Sequence, residues 1–320
     1  MDLLKTLHIQ NYRLFKDLTI EKLGQVNLIA GKNNSGKTAL LEALRIYAND
    51  MNVNVMANII HLRKEYDESK KAESFATLFG QAEPHSNGTQ KYSFNIGGKK
   101  WGLIMQKNGD VKIHRVGGTY SLSAEIDTFN YKNPSDAIVY VPFSSDDEFK
   151  IRTNFWEKVA FNEDEKQKVV DVVNIISPKK IKQFTIIGNT PTVQLEDGQV
   201  EKLTSWGDGG NRLLMLGLAL VNAKGKMLLI DEFEVGLHHS IQQKLWEIIF
   251  EYAKKWDIQV FVTTHSKDTL TAFYDVSDTP QYQDMANYFF LKRKKNGDVE
   301  AINFDLDEIE TALLGNIELR

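Results

Sequence analysis

Apolar residues follow different periods along the first 50 residues. TLHIQNYRLFKDLTI alternates apolar and polar positions in two short runs, and VNLIA at 26–30 is continuously apolar. Alternation predicts half-buried strands, and a continuous run predicts a strand buried on both faces. In the following TALLEALRIYAND, apolar residues recur at helical spacing, as Ala39, Leu40, Ala43, Leu44 and Tyr47. The chain is therefore predicted to begin with two strands, a buried third strand and a helix.

The middle of the chain has a different pattern. Residues 50–90 are interpreted as polar and helical, with the charge run RKEYDESKKAES as a solvated face or insertion. Over 91–127, short alternating runs separated by Gly-Gly and Asn-Gly turns predict an antiparallel meander. AIVYVP at 137–142 predicts a buried strand, and 146–176 predicts two helices. We interpret 50–180 as an insertion and as a docking surface for a partner.

Strands and helices alternate in the last third of the chain. Two strands, KQFTII and PTVQLE, come first, and a hairpin near Lys294 and a short helix come last. Between them the pattern predicts a helix at about 209–223, strand MLLI, a helix at 240–255, strand QVFVTT and a helix from about 266. This alternation implies a parallel sheet with crossover helices. We therefore predict one α/β domain over residues 1–320.

Composition excludes several classes of protein. The 320 residues are 42% hydrophobic and contain no cysteine, which excludes disulfides, zinc–thiolate sites and a cysteine nucleophile. The net charge of −4 gives no overall attraction to nucleic acid. The longest apolar run, near 213–221, has about half the length that a membrane helix needs. With no signal-peptide pattern at the N-terminus, we expect a cytoplasmic protein without membrane contact.

A phosphate-binding loop stands between the buried strand and the first helix. GKNNSGKT, residues 31–38, fits GxxxxGK[ST] in full. Gly31 and Gly36 allow the tight backbone, Lys37 reaches phosphates and the Thr38 hydroxyl binds magnesium. The alternative is a glycine-rich turn with a solvated lysine. The predicted nucleotide-binding residues are Gly31, Lys32, Asn33, Asn34, Ser35, Gly36, Lys37, Thr38 and Ala39.

LLIDEFEVGLHHS, residues 228–240, supplies acids directly after a predicted strand. Beside a phosphate loop, Asp231 is predicted to bind Mg²⁺ through water and Glu232 to polarise the attacking water. The alternative is a metal site that includes both histidines. Adjacent residues on a helix point about 100° apart, so only one histidine could join it. Glu234 and His238 keep an alternative role at a dimer interface, and His239 is expected at the surface.

His265 ends the strand QVFVTT and is a second candidate catalytic residue. At this position its side chain could contact a γ-phosphate or the attacking water. A cap or a core contact is the alternative role for a histidine after a strand.

These segments together resemble the ATP-binding-cassette class of ATPases. GKNNSGKT, MLLIDE and VTTHS occur in its order, and TSWGDGGNRLLMLGLAL with LLIDEFEVGLHHS is similar to the non-transporter branch of SMC, RecF and OLD-type ATPases. The match covers about 1–50 and 200–275. It implies a P-loop NTPase of the ABC-ATPase head type, with a mixed central sheet and helices on both faces. It also implies ATP as substrate and Mg²⁺ as cofactor.

The resemblance implies further site residues. Arg13 would lie near the phosphates, although a surface arginine is the alternative. A signature would complete the ATP site of an opposing subunit, formed by Gly207, Asp208, Gly209, Gly210, Asn211 and Arg212. Asp208 stands where transporter-type signatures carry serine, so a helix cap or a partner contact is its alternative role. The glutamine-bearing loop of this class is placed at Pro142, Phe143 and Ser144, which include no glutamine.

Three functions are compatible with the sequence. The OLD-like motifs favour a regulatory ATPase of a bacterial antiphage system that dimerises around ATP and controls a separate nuclease or toxic effector. A RecF- or SMC-like DNA-repair ATPase is the alternative, with KRKK at 292–295 as candidate DNA contact. A transporter subunit is disfavoured by the altered signature. About 55 residues after His265 are too few for the nuclease domain of OLD enzymes, so Asp305 and Asp307 are interpreted as acids at a helix N-terminus.

Overall fold

A computed structural model describes most of the chain, namely residues 2–84, 90–105, 111–116, 137–143, 148–177, 179–187 and 190–314. The described strands are β1 (Leu7–Tyr12), β2 (Phe15–Ile20), β3 (Val26–Gly31), β4 (Ala82–Pro84), β5 (Gln90–Ile96), β6 (Lys99–Met105), β7 (Val111–Val116), β8 (Ile138–Val141), β9 (Ile181–Ile187), β10 (Thr190–Leu195), β11 (Val200–Lys202), β12 (Met227–Ile230), β13 (Gln259–Thr264), β14 (Ala286–Arg293) and β15 (Val299–Phe304). The described helices are α1 (Lys37–Ala48), α2 (Val53–Leu62), α3 (Lys71–Ala76), α4 (Glu148–Val159), α5 (Glu163–Ile176), α6 (Gly207–Asn222), α7 (His239–Trp256), α8 (Lys267–Ser277) and α9 (Leu306–Leu314).

The central sheet has six strands in the order β15-β14-β3-β13-β12-β8. β8, β12, β13, β3 and β14 run parallel and β15 is antiparallel, so the sheet is mixed. Every residue of β3, β12 and β13 is buried, because both faces of the sheet are covered. Parallel neighbours end at one edge, so the loops after β3, β12 and β13 meet there.

Two hydrophobic layers enclose this sheet. Helices α4 to α9 pack on one face with sheet residues such as Leu228 and Val260. Helices α1 and α2 pack on the other face, together with the N-terminal antiparallel sheet and residues such as Leu229 and Phe261. Alternate strand residues therefore serve opposite layers, which confirms the predicted helices on both faces.

The predicted meander is joined to the N-terminal hairpin. In the antiparallel sheet the order is β2-β1-β5-β6-β7, with β4 on β5, and Ile9 of β1 lies opposite Ile96 of β5. The meander prediction is confirmed for β5 to β7, whereas 117–127 lies outside the described residues. A separate three-stranded antiparallel sheet, β11-β10-β9, packs beside α5.

Helix α2 corrects the interpretation of residues 50–90. The helical prediction is confirmed there, but the polar character is wrong for α2, because Val55, Met56, Ile59 and Ile60 are buried. The charge run, interpreted as a solvated face, is mostly exposed where its side chains are described. The charge run begins only at Arg63, after α2 ends, and is followed by a short 3-10 helix and α3. The charge run dominates the composition of residues 50–90, so the apolar face of VNVMANIIHL was not predicted. Among the described residues, none of the helices combines the length and apolarity needed to cross a membrane.

Candidate nucleotide site

The loop between β3 and α1 has the shape that a phosphate requires. Gly36 is the N-cap of α1 at φ +103°, a left-handed conformation that favours glycine. A Cβ there would lie 2.8 Å from the ring of Phe15, so the β1–β2 hairpin closes one side of the loop. Lys32, Asn33 and Asn34 are exposed. The positive end of α1 and three exposed loop residues thus face the sheet edge.

Lys37 lies folded against its own loop. Its side chain is largely buried, and its Nζ donates to the carbonyl oxygens of Gly31 at 2.7 Å and Lys32 at 3.2 Å. Burial lowers the pKa of Lys37, while the negative charge of Glu232 opposes that change. Ser35 Oγ is buried with no hydrogen-bond partner among the described residues, and Ala39 is buried in the first turn of α1. The loop therefore holds one cation on carbonyl groups that a phosphate could replace.

The Thr38 hydroxyl meets the acid that follows β12. Thr38 Oγ1 donates to Asp231 Oδ2 at 2.9 Å, although 193 positions separate the two residues. β3 and β12 flank β13, which brings the ends of their loops together. The structure thus unites the two residues predicted as magnesium ligands.

Thr263, at the end of β13, orients both predicted acids. Its hydroxyl donates to Asp231 Oδ1 at 2.6 Å and accepts from the backbone N–H of Glu232 at 2.8 Å. Glu232 adopts φ 46°, which is uncommon for a residue with a Cβ. Burial, followed by the charge of Asp231, raises the pKa of Glu232. A carboxyl group with a raised pKa is a more effective acceptor for a proton from water.

Glu234 connects the acid loop to His265. Its Oε1 accepts from the His265 backbone N–H at 2.9 Å and lies 3.0 Å from His265 Nδ1. Its Oε2 accepts from the Thr264 hydroxyl at 2.8 Å. The side chain of Glu234 is largely buried, whereas that of His265 is about half exposed. Glu234 therefore belongs to the site through contacts within its own chain.

The donor atoms at Thr38 and Asp231 fit Mg²⁺. A hydroxyl and a carboxylate oxygen are the hard ligands that this ion prefers, and Mg²⁺ commonly takes few protein ligands and completes its shell with water and phosphate. No larger metal-binding group of His, Cys, Asp and Glu occurs among the described residues, and His238 and His239 are exposed. The residues fit magnesium on a nucleotide better than the alternative metal site that includes the histidines.

The predicted signature has contacts within this chain. Gly207, at φ +74°, begins α6, and a Cβ on Gly209 would lie 3.0 Å from the carbonyl oxygen of Gly236. Gly210 packs against Trp206, and the side chain of Asp208 lies outside the described part of the structure. α6 thus begins beside the loop that follows the acids.

Arg212 was predicted to complete the ATP site of an opposing subunit, but its side chain bonds to residues of its own chain. Its buried guanidinium donates to the carbonyl oxygens of Pro142 at 2.8 Å, Asp231 at 3.0 Å and Glu232 at 3.1 Å. These bonds fix the acid loop to the end of β8. The side chain of its neighbour Asn211 is half-buried.

Arg13 is bound by carboxylates of its own chain. Its Nε lies 2.8 Å from Glu42 Oε2, and its two terminal nitrogens donate to Glu65 at 3.2 and 3.1 Å. The surface alternative for Arg13 is wrong, since its side chain is only 9% exposed. Its predicted contact with phosphate stays a prediction.

Other predicted features lie around the site or far from it. His238 N-caps α7 through a bond from the Ser240 N–H, and its ring packs on His239. Pro142 follows β8 at the sheet edge, and Ser144 lies outside the described residues. Asp305 accepts from the N–H of Glu308 at 2.8 Å, which confirms the acids at the start of α9.

Thr263 and the contacts of Glu234 within its own chain were not predicted from the sequence. Thr263 stands in a strand whose every residue is buried, and a polar residue at such a position needs a hydrogen-bond partner. That signal, two threonines before His265, was present in VFVTTHS. Glu234 had no comparable local signal, because its partners are about 30 residues away.

Two family models and two known proteins match parts or most of the chain. Residues 3–169 match the family described as AAA ATPase domain, and residues 107–272 match the family described as AAA domain, putative AbiEii toxin, Type IV TA system. An ATP/GTP phosphatase of Helicobacter pylori is 22% identical over 349 aligned residues, covering 91% of this chain and 93% of that protein. A 45-residue segment is 49% identical to an uncharacterised protein of Methanocaldococcus jannaschii, covering 14% of this chain and only 20% of that protein.

Solved structures show the same fold. A Smc head bound to the C-winged helix domain of ScpA superposes with a TM-score of 0.59 at 12% identity, covering 96% of this chain and 99% of that chain. A Smc head domain with an extended coiled coil, bound to the C-terminal domain of ScpA from Pyrococcus furiosus, gives 0.55 at 10% identity, covering 98% and 99%. The predicted ABC-ATPase head fold is thereby confirmed.

Proposed function

The chain belongs to the AAA ATPase domain family, and from that premise we propose a regulatory role in bacterial antiphage defence. In this proposal the chain hydrolyses ATP, dimerises around it and controls a separate nuclease or toxic effector. The observation that carries the chemistry is the 2.9 Å bond from Thr38 to Asp231, with Glu232 next to it. It joins the phosphate loop to the acids in one place.

Each residue of the sheet edge has a role in this proposal. Lys37 exchanges its two carbonyl acceptors for phosphate oxygens, Thr38 supplies an oxygen ligand for magnesium, and Asp231 binds the ion through water. Mg²⁺, when bound, offsets the negative charge of the phosphates. Glu232 accepts a proton from the attacking water, and His265 contacts the water or the γ-phosphate. Thr263 and Arg212 hold the acids in place.

The dimer rests on the position of α6. Gly207 begins this helix in a left-handed conformation, and a Cβ on it would meet no atom within 4 Å. A glycine there leaves the backbone open to close approach by another molecule. We propose that Gly207, Asp208, Gly209, Gly210 and Asn211 approach the nucleotide of a second copy, whereas Arg212 acts within its own subunit.

The defence role has a different support. Residues 107–272 match a family described as a putative AbiEii toxin of a type IV toxin–antitoxin system. Such a system acts through a toxic activity. Among the described residues no group of His, Cys, Asp and Glu could hold the metal ions of a nuclease, and we assign the toxic step to a separate protein.

The variant Glu232→Gln tests the ATP chemistry and the dimer together. Without the proton acceptor, ATP turnover should fall by about 10²- to 10⁴-fold, and light scattering should show a doubled mass with Mg²⁺ and ATP. Glu247→Gln changes an exposed carboxylate on α7 and is the matched control. Turnover equal to that of the parent protein would show that Glu232 is not the base, and an unchanged mass would exclude the trapped dimer.

Phage plating tests the defence role. Cells that express the chain with its adjacent gene should resist phage infection, and Lys37→Ala should abolish resistance without lowering the amount of protein. Equal plating on both strains would exclude an ATP-dependent defence function.

DNA binding is a second candidate function, favoured by one observation. Lys292, Arg293 and Lys295 are exposed at the β14–β15 hairpin, while Lys294 pairs with Glu300. β14 neighbours β3, so these cations lie at the same edge as the phosphate loop. ATP-dependent DNA binding that weakens steeply with salt would favour a clamp on DNA. Salt-insensitive or absent binding would favour the regulatory role.

A further inference from the structure

We propose that Glu234 is a positioning residue that fixes the ring of His265 with its proton on Nδ1. The Nε2 atom is then the ring nitrogen available to the nucleotide or to the attacking water. This inference deepens the proposed ATP hydrolysis and rests on it for its kinetic consequence only. The state of the ring is a property of the nucleotide-free protein.

The tautomer follows from the chemistry of the 3.0 Å contact. An ionised carboxylate only accepts hydrogen bonds, so we place the ring proton on Nδ1, the nitrogen that lies 3.0 Å from Glu234 Oε1. In neutral imidazole the other nitrogen then keeps its lone pair. A histidine side chain in water favours the opposite form, with the proton on Nε2. Glu234 therefore changes which nitrogen donates and which accepts.

The carboxylate is itself held at several points. Oε1 also accepts from the His265 backbone N–H at 2.9 Å, and Oε2 accepts from Thr264 at 2.8 Å. Both partners belong to the end of β13, so the orientation of Glu234 is tied to the central sheet. Its side chain is 12% exposed, compared with 47% for His265. A buried carboxylate that holds an accessible imidazole ring is the arrangement expected of a positioned catalytic group.

His265 follows β13 directly, and the backbone N–H of Glu232 donates to the Thr263 hydroxyl at 2.8 Å, so the ring and the acids lie at the same edge of the sheet. At that edge, an Nε2 lone pair accepts a hydrogen bond from water that also approaches Glu232. Losing Glu234 would free the ring to rotate and to exchange its tautomer.

Nitrogen-15 NMR of the histidine rings tests the tautomer in the nucleotide-free protein. The chain has seven histidines, so His265→Ala identifies the signal of His265. At a pH where the ring is neutral, the parent protein should show the Nδ1–H pattern. Glu234→Gln should keep it, because an amide oxygen accepts the same bonds, and Glu234→Ala should change it to the Nε2–H pattern. An Nε2–H pattern in the parent protein would overturn the proposal.

Steady-state kinetics test the consequence. Glu234→Ala should lower kcat about tenfold, the size expected for a lost hydrogen bond, with a smaller change in KM, and Glu234→Gln should restore most of it. In a His265→Ala background, Glu234→Ala should cause no further loss. Glu247→Ala is the matched control. A further tenfold loss in that background would show that Glu234 acts apart from His265 and would overturn the proposal.

The two arms separate the possible failures. If the parent protein hydrolyses no ATP, the proposed function fails, while the NMR result still decides the role of Glu234. Thermal unfolding of each variant identifies loss of fold. A Glu234→Ala protein that unfolds leaves the parent and Glu234→Gln spectra to decide the tautomer.

Discussion

Two clusters of carboxylates lie near α1, and different kinds of groups contact their oxygens. The paired cluster consists of Glu42 and Glu65 with Arg13 and Arg63, and each carboxylate there contacts at least one guanidinium. The edge cluster consists of Asp231, Glu232 and Glu234. Its oxygens accept from hydroxyl and backbone groups, while Lys37 bonds to carbonyl oxygens of the phosphate loop.

The difference lies in the groups that contact the carboxylates, which are guanidinium groups in the paired cluster and mainly hydroxyl and backbone N–H groups in the edge cluster. Arg13 and Arg63 balance the paired cluster, so it is complete as a structural element that ties the β1–β2 turn to α1 and to the residues after α2. In the edge cluster, hydroxyl and backbone N–H groups hold Asp231 and Glu234, and burial, followed by the charge of Asp231, raises the pKa of Glu232. Acids held mainly by neutral hydroxyl and backbone N–H groups are suited to receive a cation with the substrate. The two clusters should therefore respond differently to the same kind of substitution.

The largest effect should follow from Glu42→Ala in the paired cluster. Its removal leaves Arg13 and Arg63 without their shared partner, and Arg13 is buried. Breaking a buried ion pair at one partner costs about 3–5 kcal/mol, so the midpoint of urea unfolding should fall sharply. Glu73→Ala, an exposed acid on α3, is the control and should change stability by less than about 0.5 kcal/mol. Equal stability of the two variants would show that the paired cluster is not structural.

The edge cluster was predictable from the sequence, and the paired cluster was not. GKNNSGKT is one uninterrupted motif, and Asp231 and Glu232 follow an apolar strand directly, so local pattern was sufficient. The paired cluster joins residues 13, 42, 63 and 65, which come together only after α1 and α2 pack. Nothing in the spacing of these residues distinguishes them from solvated charges.

Other features of the fold were predictable or unpredictable for the same reason, namely whether they depend on local sequence or on long-range packing. The central strands were predictable because burial on both faces forces long apolar runs. The bonds from Arg212 to Pro142 and to the acid loop depend on how α6 lies against β8 and β12, which a single sequence does not encode locally. The pairing of β5 with β1 likewise needs the three-dimensional fold.

In the edge cluster, Asp231→Asn should reduce the stability that the protein gains on binding Mg²⁺ and ATP, and it should not reduce the stability of the ligand-free protein. The parent protein should gain about 2.7 kcal/mol with Mg²⁺ and ATP at 100 times the dissociation constant, and the variant should lose most of that gain. Without ligand its melting temperature should equal or exceed that of the parent, because one of the adjacent negative charges is gone. Thermal melts with and without ligand measure both effects. A large loss of stability without ligand would remove the contrast between the clusters.

Thr263→Val tests how the edge acids are held. Valine keeps the shape of threonine and loses the hydroxyl that bonds Asp231 and the N–H of Glu232. The unpaired N–H should cost about 1–3 kcal/mol, and misplacement of both acids should lower kcat. Thr271→Val, on α8, loses only a bond to its own helix and is the control. Unaltered stability and turnover in Thr263→Val would show that Arg212 suffices to hold the loop.

The smallest effect is the pH dependence contributed by Glu232. Its pKa in the folded protein is raised above the ordinary value of 4.5, so the folded state binds this proton more tightly than the unfolded state. The associated stability is fully present below the unfolded pKa and is lost as pH rises through the folded pKa. Glu232→Gln removes this loss, and because the side chain is partly exposed, solvent keeps the gain small. Nucleotide-free melts of parent and variant should coincide at low pH, with the variant more stable at neutral pH. A difference that shrinks as pH rises would mean that Glu232 is compensated like Glu42, and the two clusters would then be of one kind.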